Sequence, residues 1–183
     1  MTSSVGWSAD FQKGATAYKQ GDFATALREW TPLAEQGDAG AQTILGMMYK
    51  NGEGVIQDYK IALKWFRLSA EQSDAIAQNI LGAMYDKGQG VLQDYKTAVK
   101  WYRLSAAQGD AGAQNTLGVR YGNGDGVIQD NFYAHMWFNI SASNGNKNAV
   151  KNRNLVTKKM TPTDISTAQK LARECVEKKY KGC

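Results

Sequence analysis

Apolar residues recur at helical spacing through most of the chain, and the pattern repeats three times with a 36-residue period. Residues 38–72 read DAGAQTILGMMYKNGEGVIQDYKIALKWFRLSAEQ, and closely similar copies occupy residues 74–108 and 110–144. Within the first copy Ala41, Leu45 and Tyr49 lie four apart and share one helical face, which predicts a helix over about 39–50. A loop of the type NGEGVIQ follows, whose paired glycines end the helix and turn the chain. Asp58, Asp94 and Asp130 stand where they cap a second helix. That helix carries Ala62, Trp65, Phe66 and Ala70, an apolar stripe suited to packing. One unit alone cannot bury such stripes, whereas stacked units can, so tandem copies at a fixed period predict a solenoid.

Outside the copies the same spacing predicts two more pairs. Residues 10–20 and 23–36 read as helices joined by the short turn Gln20-Gly21-Asp22, with Trp30 on the register of Phe66 and Pro32 late in the second helix. Residues 145–160 read as a helix with Ala149, Leu155, Val156 and Met160 apolar. Thr161, Pro162 and Asp164 then start another, as cap, first helical position and first-turn charge. The expected organisation is an N-terminal capping hairpin over 1–37, three repeats over 38–145, and a C-terminal capping pair with tail over 146–183. The fold class is therefore all-α, a solenoid of about five helix pairs.

Some repeated positions carry sharper expectations. Gly46, Gly82 and Gly118 sit inside a helix at a propensity cost of roughly 1 kcal/mol each, which close approach of a neighbouring backbone would offset. Trp65, Trp101 and Trp137 share one register among small alanines and are expected in the core. Ser73 replaces the glycine found at 37 and 109, so a left-handed residue is not expected to be compulsory at that junction.

These residues resemble the Sel-1-like repeat family. The pattern A-x-x-x-L-G-x-x-Y, G-x-G-V, D-x-x-x-A-x-x-W fits at Ala41, Leu45, Gly46, Tyr49, Gly52, Gly54, Val55, Asp58, Ala62 and Trp65, and at the matching positions of the other two copies. The resemblance implies a right-handed α/α superhelix related to tetratricopeptide arrays, and a role as a protein-interaction adaptor that is often exported. It also implies that first helices line a concave surface. The variable first-helix positions then become the candidate partner-binding residues: Met47, Asn79, Asn115, Val119 and Arg120, with Thr43 and Ala83 beside them. Asparagine amides suit a peptide backbone, although Asn79 and Asn115 can equally satisfy groups within the array. Arg120 replaces the methionine of positions 48 and 84 and suits an acidic group.

Composition narrows the picture. No run of apolar residues is long enough to span a membrane. The start, MTSSVGWSADF, lacks a signal-peptide core, so the expectation is a cytoplasmic protein, or a periplasmic or secreted one whose signal has been removed. The formal charge of +5 is concentrated at the end, where residues 147–183 hold ten Lys or Arg against three Asp or Glu. This segment either attracts an acidic partner or acts as a solvated cap, and without a recognition motif it does not indicate nucleic acid. Cys175 and Cys183 are the only cysteines. Within one straight helix they would be about 12 Å apart, so a disulfide needs the helix to end before Cys183. Free thiols are the alternative.

Catalytic signals are sparse. His135 is the single histidine, at a position held by Leu63 and Val99 in the other copies, and reads as structural. The Gly-x-Gly loops follow helices and lack the lysine of a phosphate loop. Asn123-Gly124-Asp125-Gly126 lacks the later acids of a calcium loop. No cofactor or metal is expected. The expected function is a non-catalytic, monomeric scaffold binding protein or peptide through the concave surface. A hydrolase acting on a cell-envelope substrate is the alternative.

Overall fold

A computed structural model describes residues 10–180 and 182–183. The N-terminal leader reading, the start of the 1–37 hairpin and Lys181 of the basic segment lie outside the described residues. The architecture is all-α, ten helices in stacked pairs, and the described residues include no strand. The chain divides into two compact units, Met1–Asp74 and Ala75–Cys183, and the division falls on a repeat boundary.

The first unit holds α1 (Phe11–Lys19), α2 (Phe23–Glu35), α3 (Ala39–Asn51) and α4 (Tyr59–Glu71). Consecutive helices pack on one another. α2 runs through Pro32 without a break. Tyr18 donates its hydroxyl to Glu53 at 2.6 Å, tying the N-terminal hairpin to the loop of the first full repeat. That bond, with burial, pushes the phenol pKa up to about 12.

The second unit holds α5 (Ala75–Lys87), α6 (Tyr95–Ala106), α7 (Ala111–Asn123), α8 (Asn131–Ser143), α9 (Lys147–Thr157) and α10 (Pro162–Glu177). Helices α5 to α8 stack in sequence, whereas α9 and α10 both pack on α8. Thr161 and Asp164 close a reciprocal capping box ahead of Pro162. Asp58, Asp94 and Asp130 each accept two backbone N–H bonds at the start of α4, α6 and α8, as their register predicts.

Glycine and an aromatic ring form the packing motif of each pair. A Cβ added at Gly46 would lie 2.8 Å from the Phe66 ring, at Gly82 2.9 Å from Tyr102, and at Gly118 2.5 Å from Phe138. The glycines therefore make room for a ring of the second helix, where close approach of a backbone was expected. Gly14 and Trp30 repeat the motif in the hairpin, at 2.6 Å, so the N-terminal pair is built like a repeat with a shortened loop. Close backbone approach is found instead at Gly126, where a Cβ would overlap the Tyr95 carbonyl and the next amide.

The tryptophan expectation is corrected by the same motif. Trp137 is buried, 3% exposed, but Trp65 and Trp101 are only half-buried. In all three copies the next residue fills the glycine notch, and one step of about 100° turns the indole towards the helix edge; Trp137 is buried because it belongs to the core cluster against which Tyr180 and Cys183 of the tail pack. Ser73 also departs from expectation. Its φ is +69°, as left-handed as Gly37 at +99° and Gly109 at +90°. The conformation is compulsory at this junction, and the serine adopts it against its steric preference.

Buried polar groups tie the pairs together. Ser69, Ser105 and Ser141 donate to the carbonyls of Ala39, Ala75 and Ala111. Gln42 and Gln114 donate to the carbonyls of Ala34 and Ala106 at the end of the preceding helix. Their Oε1 atoms, like that of Gln78, accept from Gln72, Asn144 and Gln108 respectively.

Candidate functional site

Of the five expected partner-binding residues, Met47 belongs to the first unit and Asn79, Asn115, Val119 and Arg120 to the second. Met47 lies half-buried on α3 in the first unit, and neighbouring Thr43 is buried, sharing a 2.7 Å hydrogen bond with Ser69. Thr43 is thus a packing residue and not the groove residue its register suggested. In the second unit Asn79 on α5 donates to Asp110 Oδ1 at 3.2 Å. The same oxygen accepts the Ala113 amide, so Asn79 braces the cap of α7.

Arg120 also faces inward. Its guanidinium lies 2.8 Å from Asp125 and 3.2 Å from Asp86, over the Tyr95 ring, with its side chain 16% exposed. The acidic groups it meets belong to its own chain. Burial holds the Asp86 carboxyl above its ordinary range, with Asp125 adding to the effect and Arg120 opposing it. Burial, with Asp86 nearby, also pushes the Tyr102 phenol up. Asp86 Oδ1 and Arg120 Nε have no hydrogen-bond partner, so this is an imperfectly satisfied ion pair between helices.

Asn115 and Val119 are brought together. Asn115 Oδ1 accepts from Asn152 Nδ2 at 3.0 Å, joining α7 to α9. Asn152 and Val119 both line a cavity of about 220 Å³. Phe138, Leu155 and Val156 complete its apolar wall, and Gly122, Asn123, Asn131 and Lys159 its polar rim. Leu155, one of the apolar residues of α9, is 61% exposed, because Ala149 and Val156 carry the packing of that helix. Asn131, Asn152, Leu155 and Lys159 were not singled out by sequence. The available signal was the lack of any Asp or Glu from Asn131 to Thr163, against five basic residues on and after α9.

His135 is 1% exposed on α8, as a structural residue should be, and its Nδ1 has no partner. Burial, with Arg153 nearby, lowers its pKa. Among the described residues no group of three or more His, Cys, Asp or Glu is placed to hold a metal ion. Cys175 and Cys183 form a disulfide with Cα atoms 5.8 Å apart. The geometric requirement is met because α10 ends at Glu177 and Lys179 and Tyr180 take left-handed φ, folding the tail back. Tyr180 then accepts a hydrogen bond from Asn144 at 3.0 Å.

Repeat period, pairwise helix stacking and the glycine–aromatic notch meet the Sel1 repeat sequence profile, which matches residues 39–74, 75–110 and 111–146. The chain belongs to the Sel1 repeat family. A comparison with curated proteins gives no match. Among solved structures, the chain is similar to a Sel1 repeat protein from Oxalobacter formigenes, with 32% identity and a TM-score of 0.76 over 80% of this chain and 60% of that one. It is also similar to c5321, a protective antigen present in uropathogenic Escherichia coli strains displaying an SLR fold. That match has 28% identity and a TM-score of 0.66 over 93% of this chain and 46% of the other. The chain thus spans about half to three fifths of the length of these relatives. Among the described residues no helix is long and apolar enough to cross a membrane.

Proposed function

We propose that the chain is a non-catalytic, monomeric scaffold that binds a protein or peptide segment through the concave, first-helix face of its repeats. The observation that carries this reading is the division of labour within each repeat. Residues common to the copies are consumed by packing, capping and the buried amide bonds, while the variable Val119 lines an open cavity and the variable Asn115 holds Asn152 at its wall. A solenoid recognises partners through such variable positions on a fixed frame. The Sel1 family's architecture supports the same role. Asp86, a carboxyl that burial raises above its ordinary range, is the group the hydrolase alternative would use, but it is enclosed between helices against Arg120 with its side chain 12% exposed.

The location that fits best is an oxidising compartment, where a disulfide such as Cys175–Cys183 persists. That one relative is a protective antigen supports the same placement. The test of function is site-specific photocrosslinking in the native host, with the probe at Val119 and a control probe at the exposed Lys64 of α4. One discrete adduct from Val119, absent from Lys64, is expected. Equal adducts from both positions, or none from Val119, would refute the assignment of this face.

A further inference from the structure

We propose that the cavity between α7, α8 and α9 is a subsite for an extended acidic peptide. An aliphatic side chain of the peptide enters the cavity while a neighbouring carboxylate meets Lys159. This rests on the scaffold reading and names the place and the chemistry of binding.

Size, surface and charge each constrain the occupant. A volume of about 220 Å³ is below the roughly 300–1,000 Å³ of small-molecule sites and suits one or two side chains. Val119, Phe138, Leu155 and Val156 offer it an aliphatic and aromatic wall. Leu155, exposed and unneeded for the packing of α9, gains a dry contact only when the cavity is filled.

Asn131 supplies the polar clue. It lines the cavity, and its Oδ1 is buried without a hydrogen-bond partner. An unmet acceptor is costly, and the backbone N–H of an extended peptide would satisfy it after a small rotation of the carboxamide.

The charge clue is independent. No carboxylate occurs from Asn131 to Thr163, while Lys147, Lys151, Arg153, Lys158 and Lys159 do. Arg153 is engaged with Asn139, and the lysines are exposed. Lys159 lines the cavity and the segment that carries it has no acid of its own, so this side of the cavity favours a partner that brings the acids. Nucleic acid fits less well. The aromatic ring at the site, Phe138, is buried against Gly118 and offers no platform for base stacking.

The test is fluorescence anisotropy of the full chain with three labelled heptapeptides at low salt. One has a central leucine flanked by aspartates and glutamates, the second replaces that leucine by serine, and the third replaces the acids by lysines. The first should bind, the second roughly tenfold more weakly, and the third without saturation. Lys159→Glu and Leu155→Ser should each weaken the first peptide by roughly tenfold. Asn131→Ala should weaken it while leaving the melting temperature unchanged or higher, because an unpaired acceptor is removed.

Equal binding of the three peptides would overturn the proposal, as would wild-type affinity of Lys159→Glu or tighter binding of a single-stranded RNA oligonucleotide. An unbiased peptide display library separates this idea from the broader one. Binders that perturb amides around Asn79 and Arg120 but not around Asn131 and Lys159 would overturn the cavity and retain the scaffold. A library without binders would overturn both.

Discussion

Gly118→Ala should destabilise the protein, although alanine is the better helix former. The added Cβ would lie 2.5 Å from two atoms of the Phe138 ring, where an ordinary carbon contact needs about 3.5–4.0 Å. The ring is buried at 5% exposure, and the one relief open to it is a shift towards the cavity that it lines. Overpacking of this kind costs about 1–3 kcal/mol, and helix propensity returns about 1 kcal/mol. The net effect is a loss of about 0–2 kcal/mol, a fall of up to about 8 °C in melting temperature for a chain of this size. Gly122, one turn later in α7, is the internal control. Its Cβ would meet Ala134 at an ordinary 3.7 Å, so Gly122→Ala keeps the propensity gain and should raise stability by up to about 1 kcal/mol. The assay is urea unfolding followed by circular dichroism, with Phe138→Leu and the Gly118→Ala, Phe138→Leu double variant completing a thermodynamic cycle. A Gly118→Ala protein as stable as Gly122→Ala, or a cycle with no coupling, would refute the notch.

The remaining predictions use the same unfolding measurement. Tyr102→Ala should cost about 3–5 kcal/mol as a fully buried aromatic, and Trp101→Ala clearly less, so equal losses would contradict the burial assignment. Ser73→Gly should stabilise by about 0.5–1 kcal/mol, because it relieves a left-handed serine at some entropic cost; a loss would show that the serine side chain has a compensating role. Burial and Arg153 make the folded protein bind a proton at His135 less readily than the unfolded chain does. Its contribution is therefore fully present above about pH 6.5, the unfolded histidine value, and is lost as pH falls below it, by at most about 1.4 kcal/mol per pH unit. His135→Leu should flatten that decline, and an unchanged pH profile would refute the assignment.

The period alone made the fold legible, because any register that buries Ala41, Leu45 and their equivalents also fixes the helix pairs. Rotations of one residue were not legible. Trp65 and Phe66 are both aromatic neighbours on one helix, and only the notch at Gly46 decides which ring enters. Ser73 was misread because its side chain hides a backbone requirement that glycine would have advertised. Of the expected partner-binding residues, Val119 lines the cavity and Asn115 holds Asn152 at its wall. The candidate site was not legible at Arg120, whose counter-charges Asp86 and Asp125 come from another helix and a loop. Lys159 and Leu155 were hidden by the regularity of the repeats, since the cavity forms where that regularity ends.

The buried amides have a consequence for how such a chain changes length. Gln42 and Gln114 each reach back to the carbonyl that closes the preceding pair, and each receives the amide that closes its own. Excising or duplicating one whole period rejoins every donor to an equivalent acceptor, so recombination between copies alters span without orphaning a polar group. An insertion of any other size breaks that register. The array's end is marked in the same currency of donors. In the third copy the closing glutamine has become Asn144, whose shorter amide serves both Gln114 and the Tyr180 hydroxyl of the disulfide-bound tail.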